Sequence, residues 1–221
     1  NKKILFLNSN RLANEDMKFK LKDNNDIHFF TYNGLLREIL SYVDPEFLKY
    51  GTMDFIDSNN HMTREVCKFF KEEKGYRGIT FDELKEQAGM DFRNSWDIIV
   101  FDEMQNCYFF DEFYTLMNRI LKNELVNGEY YFFGDFKYQG LVTAGSSLTN
   151  KNLEERKPEN NLMDFRTQTL IKNVRNSRAI STHAPILSGL FKNFPYELGK
   201  SEAGEVISFF SNSREEKVQK S

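Results

Sequence analysis

The run Asp97-Ile98-Ile99-Val100-Phe101 leads straight into two acids, Asp102 and Glu103. Successive side chains of a strand point to opposite faces, so an unbroken apolar run requires a strand covered on both sides. Strands of that kind belong to parallel sheets, whose crossover connections lay helices over the faces. The rest of the chain alternates accordingly. Ile4-Leu5-Phe6-Leu7 reads as an opening strand followed by a helix from Arg11 to Leu21. Ile27-His28-Phe29-Phe30 reads as a second strand. Thr31 can cap a helix through Leu35, Leu36, Ile39, Leu40 and Val43, which Asp44-Pro45 ends. After the Ile98 run comes a helix with Phe113, Leu116, Met117, Ile120 and Leu121 on one face. A further buried strand, Tyr130-Tyr131-Phe132-Phe133, then closes at Gly134. The pattern is that of an α/β chain with a mostly parallel sheet and flanking helices.

From about residue 44 to 94 the pattern weakens, and a small helical insertion is expected there. It holds a polar segment at Asp57-Ser58-Asn59-Asn60, a helix near Arg64 to Lys71, and a capping box, Thr80-Phe81-Asp82-Glu83, opening a short helix that Gly89 can close. Further on, Lys151 to Asn161 reads as a charged loop, Thr167 to Ile171 as a strand, and Ser177 to Leu190 as a helix. Pro195 then breaks the chain, and Val206 to Phe210 starts a new strand, so residues 1–195 and 196–221 are expected to be separate parts. A hydrophobic share of 40% with 29% charged residues excludes a disordered chain. No apolar run approaches the ~20 residues that span a bilayer, and no basic-then-apolar leader opens the chain, so a cytoplasmic protein is expected. A formal net charge of −3 excludes a histone-like binder and leaves room for a local basic patch. Cys67 and Cys107, with His28, His61 and His183, fit no zinc-ligand spacing and read as reduced thiols.

In open parallel sheets, ligands bind beyond the carboxyl ends of the strands. Two strand ends here deliver acids. The first gives Asp102-Glu103-Met104-Gln105, a carboxylate pair of the kind with which nucleotide hydrolases hold Mg²⁺ and activate water. The second gives Gly134-Asp135-Phe136-Lys137-Tyr138-Gln139, where glycine lets the backbone turn and Asp135 and Gln139 can reach the same metal and terminal phosphate. Asn173-Val174-Arg175-Asn176 adds an arginine suited to the charge of a phosphoryl-transfer transition state. Taken singly, each is matched by a solvated strand end or a surface charge; the ordered set points to a nucleotide site.

Those motifs resemble superfamily 1 DNA helicases of the UvrD/Rep type. Asp102-Glu103-Met104-Gln105 is similar to their motif II, Gly134-Asp135 with Gln139 to motif III, Leu170 to Asn176 to motif IV, and Ile4 to Ala13 to motif Ia. The resemblance implies a RecA-like, P-loop NTPase-type first domain that uses ATP and Mg²⁺ and moves along single-stranded DNA. By it, Asp102 would be the Mg²⁺ ligand, Glu103 the catalytic base, Gln139 a sensor of the terminal phosphate and Arg175 an arginine-finger-like contact. Gln105 and Asp135 would tie these groups together around the nucleotide, and Ser9, Asn10 and Arg11 would lie on the DNA backbone.

The chain departs from the family pattern at named positions. Asn106 stands where an aspartate commonly follows the motif II glutamine, and Val174 replaces an aromatic before the arginine. Asn8 and Val142 fall near places where the family stacks aromatics on bases, with Tyr138, Phe136 and Phe6 as nearby substitutes or core residues. No G-x-x-x-x-G-K-[ST] occurs in the 221 residues. The family has that loop before motif Ia, so it is expected upstream of Asn1, and the Val206 strand is expected to lead into a second RecA-like domain. The alternative is a helicase-derived binding or interaction module without catalysis; an α/β signalling NTPase with no DNA partner is the third reading.

Overall fold

Parallel strands cannot be joined by tight turns, so each return in such a sheet needs a long crossover, and the hand of that crossover decides which face it covers. A computed structural model describes residues 1–46, 48, 55–72, 78–136, 149–170, 172–173 and 197–198. Strands β1 (Ile4–Asn8), β2 (Ile27–Thr31), β3 (Ile98–Asp102) and β4 (Glu129–Phe132) form one all-parallel sheet in the order β2-β1-β3-β4. Helix α1 (Arg11–Lys20) joins β1 to β2. Helices α2 (Tyr32–Val43), α3 (Phe55–Lys71) and α4 (Phe81–Ala88) fill the return from β2 to β3. Helix α5 (Phe113–Ile120) and the single turn α6 (Glu124–Asn127) lead to β4. The chain is therefore α/β with flanking helices, as its apolar pattern requires.

Two of the helix starts follow from local chemistry legible in the sequence. The Thr31 hydroxyl accepts from the Gly34 N–H at 3.0 Å and opens α2. Thr80 and Glu83 form the reciprocal capping box of α4, and Gly89 closes that helix in the left-handed region at φ 74°.

The connection from β1 steps to one side of the sheet and those from β2 and β3 to the other, so right-handed crossovers place α1 on one face and the later helices on the opposite one. Burial agrees. Leu5, Leu7, Ile99 and Phe101 are fully buried, and Phe101 meets the rings of Tyr32 on α2 and Phe113 on α5 at 6.1 and 5.7 Å. On the other face Phe6 leans on Phe29 at 5.6 Å, while Ile98 and Val100 are half-buried. The expected strand enclosed on both faces is thus an alternating one, because two of the three crossovers lie on one side. The Tyr130 to Phe133 strand also differs from expectation. It starts at Glu129 and is an edge among the described strands, with Tyr131 50% and Phe133 48% exposed.

Helix α3 begins at Phe55, so the polar segment Asp57 to Asn60 is helical. Three of its polar residues have partners across the interior: Asn33 Nδ2 donates to Asn59 Oδ1 at 3.1 Å, the Tyr32 and Thr63 hydroxyls share a bond of 2.9 Å, and Asn60 Oδ1 accepts from the Asp111 N–H at 2.8 Å. Val66, Phe69 and Phe70 of α3 and Phe81 and Leu84 of α4 belong to the same apolar core as α2 and α5.

The expected loop from Lys151 to Asn161 folds into two short helices, α7 (Asn150–Glu155), capped by Thr149, and α8 (Pro158–Asn161), with proline at its first turn. Thr167 to Leu170, expected as strand, are exposed and irregular. The chain divides into two compact units, Asn1–Arg166 and Thr167–Ser221. In the second, β5 (Lys172–Asn173) pairs in parallel with β6 (Glu197–Leu198). The Ser177 helix and the Val206 strand lie outside the described residues. Among the described residues no helix is long and apolar enough to cross a membrane.

Both cysteines are free and buried. Burial pushes the Cys67 thiol up to about 12, and the Cys107 thiol further in the same direction. The thiolate is the reactive form, so neither cysteine should react with a disulfide reagent at pH 8 in the native protein, and both should react in urea. Stoichiometric labelling of the native chain within minutes would contradict this packing.

Candidate functional site

The connection leaving β1 departs to one edge of the sheet and the connection leaving β3 to the other, which makes their carboxyl ends the switch point at which open parallel sheets bind ligands. The register places Asn8 opposite Asp102 at that point. Asn8 is 1% exposed and donates from Nδ2 to Asp102 Oδ2 at 3.1 Å. The Glu103 N–H donates to Asp102 Oδ1 at 3.0 Å. Each carboxylate oxygen therefore has an anchored donor, and a carboxylate has about four acceptor sites.

Glu103 occupies the left-handed region, at φ 55° and ψ 38°. A residue with a Cβ holds that conformation at a cost of about 1–2 kcal/mol, and five other described residues with a Cβ also have positive φ. The turn survives because both sides of it are tied down. Phe133 N–H donates to Phe101 O at 2.8 Å and Met104 N–H to Phe133 O at 2.9 Å, so the β3–β4 ladder continues past both strand ends. Gln105, 1% exposed, donates from Nε2 to Glu103 Oε2 at 2.5 Å and accepts at Oε1 from the Asp135 N–H at 3.3 Å. One buried amide thus links the end of β3 to the segment after β4.

Gly134 makes room for that amide. A Cβ there would stand 2.6 Å from Gln105 Oε1 and 3.2 Å from both Gln105 N and Phe136 Cε2. The expected reason for this glycine was a tight turn; the observed one is close approach, and its φ is not in the positive range.

On the β1 side of the switch point Asn10 caps α1, its Oδ1 accepting from the Leu12 N–H at 2.9 Å. The Asn10 N–H donates to Asn8 Oδ1 at 2.6 Å, and Asn106 Nδ2 donates to Ser9 Oγ at 2.8 Å. Arg11 is exposed at the start of α1. The structure therefore brings together Asp102, Glu103, Gln105 and Asp135, and sets Ser9 and Asn10 against the same strand end.

Gln139 and Arg175 lie outside the described residues, as do Tyr138, Val142 and Val174. Phe6 and Phe136 are packing residues, the first on Phe29 and the second edge-on to Tyr108 at 5.2 Å. In the sequence Asn8 and Asn106 stand only as departures from a pattern; aligning the ends of β1 and β3 sets Asn8 opposite Asp102.

Among the described residues no three His, Cys, Asp or Glu side chains form a metal cage. The donor set still fits Mg²⁺ carried by a nucleotide, because that ion keeps waters and phosphate oxygens and needs only one or two carboxylates from the protein. A concavity of about 550 Å³ lined by Asn1, Lys20, Leu21 and Asp23 lies at the opposite end of the sheet, beside the start of β1. Compared with known proteins, the chain matches no family model, no curated protein and no solved structure. The helicase likeness rests on its short motifs and on where they fall.

Two substitutions isolate the geometry. Glu103→Gly and Glu103→Ala both remove the bond to Gln105, but only glycine is at ease at this φ; urea unfolding should find the glycine variant more stable than the alanine variant by roughly 1 kcal/mol. Equal stabilities would refute the left-handed turn. Gly134→Ala should lower stability by about 1–3 kcal/mol through overpacking against Gln105, and an unchanged urea midpoint would refute the close approach.

Proposed function

We propose that this chain carries the water-activating and strand-contacting part of an ATP-dependent translocase on single-stranded DNA, of the superfamily 1 helicase type, built on a RecA-like, P-loop NTPase-type domain. The observation that carries the reading is the grouping of Asp102, Glu103, Gln105 and Asp135 at the switch point of a parallel sheet, with Glu103 held in a strained conformation by a buried glutamine. Asp102 would hold the nucleotide's Mg²⁺, whose charge offsets that of the phosphates. Glu103, one residue on, would take the proton of the attacking water, with Gln105 fixing its carboxylate. Ser9, Asn10 and Arg11 present hydroxyl, amide and guanidinium donors of the kind that grip a phosphate backbone without reading sequence. By the resemblance, Gln139 and Arg175 would contact the terminal phosphate, and a phosphate loop and a second RecA-like domain would complete the ATP site. A DNA translocase with reduced thiols belongs in the cytoplasm.

A second reading, a helicase-derived binding module without turnover, is favoured by the departures from the family's motifs at Asn106, Val142 and Val174. Turnover separates the two. In the natural full-length protein, ATP hydrolysis should be stimulated by oligo-dT, and Glu103→Gln should reduce it at least ~100-fold while Mg-ATP binding persists. Wild-type protein that binds oligo-dT but does not hydrolyse ATP supports the module. Glu103→Gln with undiminished turnover overturns the role of Glu103, and absence of salt-dependent oligo-dT binding overturns both readings.

A further inference from the structure

Asn8 is a polar side chain buried between two segments to which separate roles are given above. Both ends of its amide are engaged, Oδ1 by the Asn10 N–H at 2.6 Å and Nδ2 by Asp102 Oδ2 at 3.1 Å. The amide has one workable orientation. A backbone N–H only donates and an ionised carboxylate only accepts, so a flipped amide would set donor against donor and acceptor against acceptor. Beside it, the bond from Asn106 to Ser9 Oγ at 2.8 Å ties the same two segments a second time. Asn10 in turn caps α1, so the position of that helix start is tied through Asn8 to the end of β3.

We propose that Asn8 is a positioning residue through which DNA-strand binding at Ser9 to Arg11 and cation binding at Asp102 influence each other. The inference rests on the function proposed above and concerns the regulation of that site. A cation on Asp102 draws the carboxylate lone pairs toward itself and weakens the bond from Asn8 Nδ2. A strand phosphate that takes the Asn10 N–H weakens the bond to Asn8 Oδ1. Asn8 is itself buried and is held by both bonds, so the first ligand to arrive bears the cost of loosening it, and the second finds it already loosened. The two ligands therefore favour each other, and linkage makes the factor equal in both directions.

The test uses the natural full-length protein saturated with a non-hydrolysable ATP analogue, with Mn²⁺ followed by water-proton relaxation and a fluorescein-labelled oligo-dT followed by anisotropy. NaCl is adjusted to constant ionic strength, because strand binding is itself salt-dependent. In the wild type, saturating Mn²⁺ should tighten oligo-dT binding about five-fold or more, and saturating oligo-dT should tighten Mn²⁺ binding by the same factor. Asn8→Leu keeps a similar volume and removes both bonds; it should bring both factors below about two-fold. Asn8→Ser gives the same loss in a variant that keeps a polar group at the position, with a hydroxyl too short to join both partners, and circular dichroism identifies the folded variants. Both ligands binding the wild type without mutual effect, or full coupling in a folded Asn8 variant, overturns the role of Asn8 and leaves the proposed function standing. A wild-type chain that binds neither ligand overturns the proposed function itself.

Discussion

Asn8 stands opposite Asp102 because β1 and β3 pair in parallel from Ile4 and Ile98 onward, and that register is held by what lies beneath it. Leu5, Leu7, Ile99 and Phe101 all point to the face covered by α2 and α5 and are all fully buried. A one-residue slip of β3 would send Ile99 and Phe101 to the half-covered face and break their packing on Tyr32 and Phe113. It would also carry Asp102 away from Asn8. The apolar alternation thus does more than stabilise the sheet, since it decides where the polar ends of the two central strands emerge and which of their side chains meet.

Local features of this fold were legible wherever the chemistry is local. A threonine followed three residues later by a glutamate, and a glycine six residues beyond that, bound α4 without help from any other part of the chain. The first half of α3 was illegible for the opposite reason. Asn59, Asn60 and Thr63 look like a solvated break, and only Asn33, Tyr32 and the Asp111 N–H, brought in by folding, turn them into an interior seam. The apolar run of β3 could announce a parallel sheet but not how the crossovers divide between its faces. That division follows from strand order, because β1 leads toward one edge and β3 toward the other.

The site shows the same split. Asp102, Glu103, Gln105 and Asp135 could be singled out because strand ends in parallel sheets are where chemistry collects, and the structure brings them together. Asn8 and Asn106 could be seen only as substitutions for an expected aromatic and an expected aspartate. Their actual contacts run across 94 and 97 residues of sequence, to Asp102 and Ser9. An asparagine that faces a carboxylate is a different object from an aromatic that faces a base, and the difference lies in pairing rather than in local sequence.

The strained turn at Glu103 depends on this enclosure. Left-handed backbone in a residue with a Cβ persists only where its surroundings over-determine it. Here the ladder bonds of Met104 and Phe133 fix the chain on either side, and Gln105 holds the Glu103 carboxylate from below. Gln105 can do so only because Gly134 leaves its amide the space that a Cβ would take. The sequence of dependence runs from a missing side chain after β4, through a buried amide, to the conformation of an acid after β3. Each member is unremarkable alone, and a change at Gly134 or Gln105 is transmitted to Glu103 through the contact and the hydrogen bonds that join them.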